Sequence, residues 1–358
     1  MELRSRYAAV GMPWASGIGT NVESCTTAQE VMEKAHLDFT VDKCELVAKM
    51  PFRLNAGMNN IQDGTGFAYG GNIYRDCPNA YATYRTDSNT PLGIVKQKYE
   101  VVQNIDAFNF FDDAIGKDKA VWQYAGAFGF GHKVFVSAKL PVSTTVKGDK
   151  IENYLVFSNS HDGSSSINIM FTPIRMFCLN MLNAALKGAD SYIRIRHTES
   201  AGRRIQEGGR LLKIACEHAT TTEALYNSIA AVKCGDREVM RYIASLILSQ
   251  DEMAKLYFMG NDNVFDRLFA RDFNIVQELE LSTRKLNKLV TTFDYYQNGV
   301  GQRQIAGTWW GAYNAITGYY SNVDNKIGEK RMDSLLYGTA NNTMQLALNK
   351  AYELAYAA

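Results

Sequence analysis

Between Val121 and Phe171 the chain passes through four apolar, β-rich runs, "VWQYAGAF", "HKVFVSAKL", "NYLVFSN" and "SINIMF", separated only by short stretches rich in Gly, Lys, Asp and Ser. Side chains that alternate at a period of two belong to strands with one face turned to a core, and connections this short join neighbouring strands head to tail. The segment therefore predicts a four-stranded antiparallel meander.

The flanking sequence reads differently. In "TPIRMFCLNMLNAALKG", Thr172 as N-cap, Pro173 at the first helical position and Gly188 as C-cap predict a helix with Arg175 in its first turn. Farther on, "TTTEALYNSIAAV", "DREVMRYIASLIL", "VQELELSTRKLNKLVTTF", "RQIAGTWWGAYNAITGYY" and "RMDSLLYGTANNTMQLALNKAYELAYAA" have helical spacing. Upstream, "LGIVKQKYEVVQN" reads as a strand and "IDAFNFFDDAIG" as a short helix. Residues 54–90 are rich in Gly, Asn and Asp and read as turns with short Tyr-bearing strands. The expected class is α+β: a loop-rich arm over 1–90, a β-meander packed on helices over 91–213, and a mostly helical region over 214–358.

No apolar run reaches the roughly 18–20 residues that cross a bilayer, and "MELRSRYAAVGMPWASGIG" lacks the apolar core of a signal peptide. The expectation is a cytoplasmic protein with no membrane partner. The six cysteines form no C-x-x-C pair and the five histidines no i, i+4 pair, so reduced thiols and no metal or other cofactor are expected.

Net charge is +1, yet residues 175–213 hold 8 Lys and Arg against 3 Asp and Glu, a local surplus of +5, while 214–358 hold 14 against 16. In "YIRIRHT", Arg194 and Arg196 alternate with Ile193 and Ile195, which puts both guanidinium groups on one face of an extended segment beside Tyr192 and His197. Arg203 and Arg204 follow, with Arg175 and Lys187 ahead. Guanidinium forks suit phosphate oxygens, whereas the plain alternative pairs these arginines with carboxylates such as Glu199 and Glu207.

Three motifs carry a sharper and a plainer reading. "SNSHDGSSS" places Ser160, His161 and Asp162 together, but neighbours on a strand point to opposite faces and Asp-Gly is a turn signal, so a hairpin loop is expected over a hydrolytic triad. "GAFGFGHK" lacks the Gly-Lys-Ser/Thr order of a phosphate loop and reads as a glycine-rich turn. Trp309 and Trp310 with Tyr313 have the spacing of a packing stripe more than that of a base-stacking platform.

With those residues in view, the chain resembles a family of phage- and plasmid-borne proteins known as domain of unknown function 932. The resemblance is carried by "LGIVKQKYEVVQN", "YLVFSNSHDGSSSINIMFTPIRMFCLNMLNAAL", "IRIRHT" and "GTWWGAYNAITGYYSN", in that order. In outline, strands followed by a helix are also similar to the core of RecT-, Red-beta- and Erf-type single-strand annealing proteins.

Together the resemblances imply a non-enzymatic, homo-oligomeric ring or filament in a bacterial host cell. It would hold single-stranded DNA, act in ATP-independent annealing and recombination, and meet a phage or host replication or recombination protein. Arg175, Lys187, Arg194, Arg196, Arg203 and Arg204 would contact phosphates, Lys133 would line the groove, and Tyr192 or His197 would stack on a base. The alternatives are a phage structural or counter-defence protein, and a metal-dependent nuclease using Asp112, Asp113, His161 and Asp162.

Overall fold

The computed structural model describes residues 19–50, 66–112, 119–175, 178–179, 192–206, 221–260, 263–336 and 338–357. The meander forms as the alternation requires: β6 (Val121–Phe128), β7 (Lys133–Val146), β8 (Asp149–Ser160) and β9 (Ile167–Arg175) are sequential antiparallel neighbours. β1 (Gly19–Asn21) adds to the β6 edge, and β10 (Cys178–Leu179) and β11 (Tyr192–Ile195) both pair with β9. Gly129 and Gly131, with φ of 56° and 111°, turn the chain between β6 and β7, so "GAFGFGHK" is a β-turn.

The helix expected from Thr172 does not begin there. Thr172, Pro173 and Ile174 continue β9, opposite Tyr154, Asn153 and Glu152 of β8. On the other edge of β9, β11 covers Ile167 to Met170 and β10 covers Ile174 and Arg175. Pro173 thus sits between the two described partners on that edge. Local capping chemistry loses to pairing with a long apolar neighbour strand. Gly188, the expected C-cap, lies outside the described residues.

Residues 66–96 build more than turns. β2 (Val41–Met50), β3 (Gly66–Tyr69), β4 (Asn72–Arg85) and β5 (Pro91–Lys96) form a second antiparallel sheet in which β4 pairs with the other three. β5 ends at Lys96, short of the strand read through Asn104. Two short helices, α1 (Ala28–Ala35) and α2 (Asn104–Asp112), pack on each other.

After α3 (Ala201–Gln206), residues 221–231 are helical (α4). α5 (Asp236–Ile247), α6 (Gln250–Phe258), α7 (Val264–Phe269), α8 (Phe273–Glu278), α9 (Thr283–Asn298), α10 (Trp309–Asn322), α11 (Gly328–Leu336) and α12 (Thr339–Tyr356) complete the chain. The class is α+β with a mostly helical carboxyl-terminal region.

α10 is apolar nearly all round and is accordingly the buried axis of that region, packed by α5, α9 and α12. Trp310 and Tyr313 are fully buried, with ring centroids 5.6 Å apart, and Tyr226 lies 4.5 Å from Trp310. The tryptophan pair is core. A Cβ at Gly318 would meet the Tyr295 ring at 2.1 Å, so α10 and α9 approach this closely only because that residue has no side chain. No helix among the described residues is long and apolar enough to cross a membrane.

A basic cleft at the hairpin end of the sheet

Strand register assembles the candidate site. Lys133 stands opposite Ser160 across β7 and β8, Ser158 opposite Asn168 across β8 and β9, and Asn168 opposite Arg194 across β9 and β11. Lys133 and Arg194, distant in sequence, therefore lie at the same end of the sheet, on either side of the hairpin loop. There they line a cleft of about 1100 Å³ with Arg196 and His197. Ile195 is buried while Arg194 and Arg196 are exposed, as the alternation of "IRIR" requires.

The remaining walls come from outside the basic segment. Lys96, Lys98 and Tyr99 come from the end of β5 and the chain after it, Ser164, Ser165 and Ser166 from the hairpin loop, and Asp333, Asn341, Asn342 and Gln345 from α11 and α12. Lys96 and Lys98 carry a faint local signal, two lysines spaced to share a face. The helix-borne residues carry none, because nothing near them in sequence refers to a cleft otherwise lined by residues 94–198. Lys133 Nζ lies 2.8 Å from Asp333 Oδ1. Five Lys and Arg side chains thus face one carboxylate.

The loop is rigid. Ser160 Oγ donates to Asp162 Oδ1 at 2.5 Å, and the Ser164 N–H donates to the same oxygen at 2.9 Å. Burial pushes the Asp162 carboxyl up, but hydrogen bonds from Ser160 and Ser164 outweigh it and hold the pKa below the usual carboxylate value. His161 points away from both, its Nε2 2.8 Å from Asn104 Oδ1. Because Asn104 Nδ2 donates to the Leu37 carbonyl, Oδ1 is the acceptor and His161 carries its proton on Nε2. Ser160, His161 and Asp162 do not form a triad, since the serine bonds the aspartate directly and the imidazole touches neither.

His197 stacks on Tyr99 with centroids 4.5 Å apart and its Nδ1 lies 3.2 Å from the Glu100 carbonyl. Only 7 % exposed, it forms the cleft wall and offers a ligand an edge more than an open ring face. The Tyr99 hydroxyl donates to the Ser160 carbonyl at 2.6 Å, tying this wall to the loop. Among the described residues His161 Nδ1 and His197 Nε2 have no hydrogen-bond partner, and burial lowers both pKa values to about 4.

Of the other expected nucleic-acid contacts, Arg175 ends β9, seven residues and about 23 Å along the strand from Asn168. It is not in the first turn of a helix. Tyr192 pairs with Met170 two residues before Arg194, and Arg203 and Arg204 are on α3. The side chains of these four lie outside the described residues, as does all of Lys187. Asp112 Oδ1 accepts from the Ala28 N–H at 2.6 Å, some 12 Å along α2 from the Asn104 that His161 touches, and Asp113 is outside the described residues. Among the described residues no cluster of His, Cys, Asp and Glu is arranged to hold a metal.

A family model described as a domain of unknown function matches residues 91–352, from the start of β5 into α12. No curated protein and no solved structure matches the chain, and the likeness in outline to annealing proteins is not confirmed.

Proposed function

The chain belongs to the DUF932 family, and because that name assigns no chemistry we propose a function from the cleft: it binds the phosphate backbone of single-stranded DNA. One observation carries this reading. Lys96, Lys98, Lys133, Arg194 and Arg196 converge from β5, β7 and the β11 segment on one cavity whose only lining carboxylate, among the described residues, is Asp333. Ammonium and guanidinium groups neutralise phosphates, and the serine hydroxyls and the amides of Asn341, Asn342 and Gln345 suit phosphate and sugar oxygens. Backbone binding of this kind is indifferent to sequence, as strand annealing requires. A cavity of this size covers a few nucleotides, so annealing would proceed on a homo-oligomeric ring or filament in the host cytoplasm, without nucleotide hydrolysis.

The test is fluorescence anisotropy of a labelled single strand of about 30 nucleotides, titrated between about 50 and 200 mM salt. Affinity falls steeply with salt, and Arg194→Ala with Arg196→Ala lowers the log–log slope by about 1.4, roughly 0.7 for each phosphate that is no longer neutralised. An unchanged slope, or no binding by the parent protein, rejects the reading.

One observation favours a second reading, a non-enzymatic phage structural or host-interaction protein. Phe258 on α6 and Phe273 on α8 are 94 % and 75 % exposed, as residues of a protein-binding surface would be. A stable assembly whose mass is unaltered by single-stranded DNA would support that reading over the first.

A further inference from the structure

Arg284, Lys288 and Thr291, spaced i, i+4, i+7, share one face of α9, and that face lines a second cavity of about 1300 Å³. Lys285, Lys326 and Lys330 line it as well, the last two from the start of α11 and the loop before it. Two of these five cations are compensated: Lys285 lies 2.6 Å from Glu252, and Lys326 lies 3.7 Å from Asp324. Arg284, Lys288 and Lys330 have no carboxylate partner among the described residues. Lys288 is nonetheless held in place, its Nζ donating to Tyr320 Oη at 2.5 Å and lying 4.7 Å from that ring's centroid.

Composition does not account for this concentration of charge. The segment 214–358 carries more carboxylates than cations, 16 against 14, so a cavity with five cations and, among the described residues, one lining carboxylate runs against its surroundings. Like charges held together without counter-ions raise the local potential and favour an anion. The first turn of α9, capped by Ser282 at the cavity wall, adds donor groups of the same sign. Tyr319, half-buried beside Lys288, provides an aromatic surface.

The two cavities are neighbours. Thr339 and Thr343 of α12 line this one, whereas Asn341, Asn342 and Gln345 line the first cleft. An offset of two residues is about 200° around a helix, so the first turns of α12 present opposite faces to the two cavities.

We propose that this second cavity is a phosphate-recognition site in its own right, taking a chain of phosphate groups, either the backbone of a nucleic-acid strand or the polyphosphate of a nucleotide. It stands apart from the reading of the first cleft, because the two cavities share no cation.

The experiment is calorimetric titration of the full-length protein with tripolyphosphate, ATP and a short oligothymidylate. It compares the parent protein with Arg284→Ala/Lys330→Ala, two exposed positions whose loss leaves the core intact, and with Arg194→Ala/Arg196→Ala. The first double variant weakens at least one phosphate probe about tenfold; the second leaves tripolyphosphate and ATP binding in place and weakens only the oligothymidylate, through the first cleft. Loss confined to the oligothymidylate identifies a strand as the ligand, and ATP binding tighter than tripolyphosphate identifies a nucleotide. If Arg284→Ala/Lys330→Ala binds all three probes as the parent does, or if the parent binds none, the proposal falls. Oligothymidylate binding unchanged by Arg194→Ala/Arg196→Ala would count against the first cleft alone.

Discussion

Gly93 of β5 lies so close to Asp162 that a Cβ on the glycine would sit 2.5 Å from the Asp162 Cα. This close approach, with the Thr83 hydroxyl donating to the His161 carbonyl at 2.7 Å, seats the hairpin loop on the smaller sheet and brings Lys96 and Lys98 to the cleft. Gly93→Ala must push backbone from backbone, which costs about 1–3 kcal/mol. A lower midpoint of thermal unfolding, together with weaker oligonucleotide binding, is the expected result. An unaltered midpoint would mean that the sheets part freely.

Two buried histidines make stability depend on acid. Burial holds His161 and His197 at about 4, against 6.5 for an exposed imidazole, so both are neutral when folded and take up protons on unfolding. The unfolded chain therefore binds more protons between about pH 6.5 and 4. Their contribution is fully present above pH 6.5 and is lost as pH falls toward 4, by up to about 3 kcal/mol for each ring. Urea midpoints measured from pH 7 to 4.5 should fall, and the fall should be shallower in His161→Gln.

Asp333 opposes the charge of the cleft it lines. Asp333→Asn removes the partner of Lys133 at little cost to stability, about 1 kcal/mol or less, because the carboxylate is half exposed. Oligonucleotide affinity should rise about threefold to tenfold and the salt slope steepen by roughly 0.7. Unchanged affinity by anisotropy would place Lys133 off the ligand's path.

Trp310 separates core from platform. With the indole fully buried against Tyr226 and Tyr313, Trp310→Ala should cost about 3–5 kcal/mol in chemical denaturation. Trp310→Phe keeps most of the apolar volume and removes an indole N–H that has no partner among the described residues, so it should cost much less and leave oligonucleotide affinity unchanged. Affinity lost in the phenylalanine variant while the fold stays intact would return the tryptophan to the ligand.

Where residues a few positions apart determine the outcome, the sequence alone decided it. The period of two in "VWQYAGAF" through "SINIMF" makes a meander because side-chain alternation and turn chemistry act within one strand and its loop. For the same reason "IRIR" turns Arg194 and Arg196 outward, and the apolar run from Trp309 becomes a buried helix. Tertiary structure alone decided the rest. Thr172 and Pro173 satisfy every local rule for starting a helix, yet pairing with β8 draws them into β9. His161 is buried with its Nε2–H donating to Asn104, 57 residues earlier, a partner no local pattern supplies. The charge surplus of 175–213 pointed to part of the first cleft, but Lys96, Lys98 and the amides of α12 join it only through packing. The second cavity lies in a segment whose total charge is negative. Neighbouring residues encode the conformation of a segment; which faces meet, and which charges gather, depends on packing between segments that no local pattern contains.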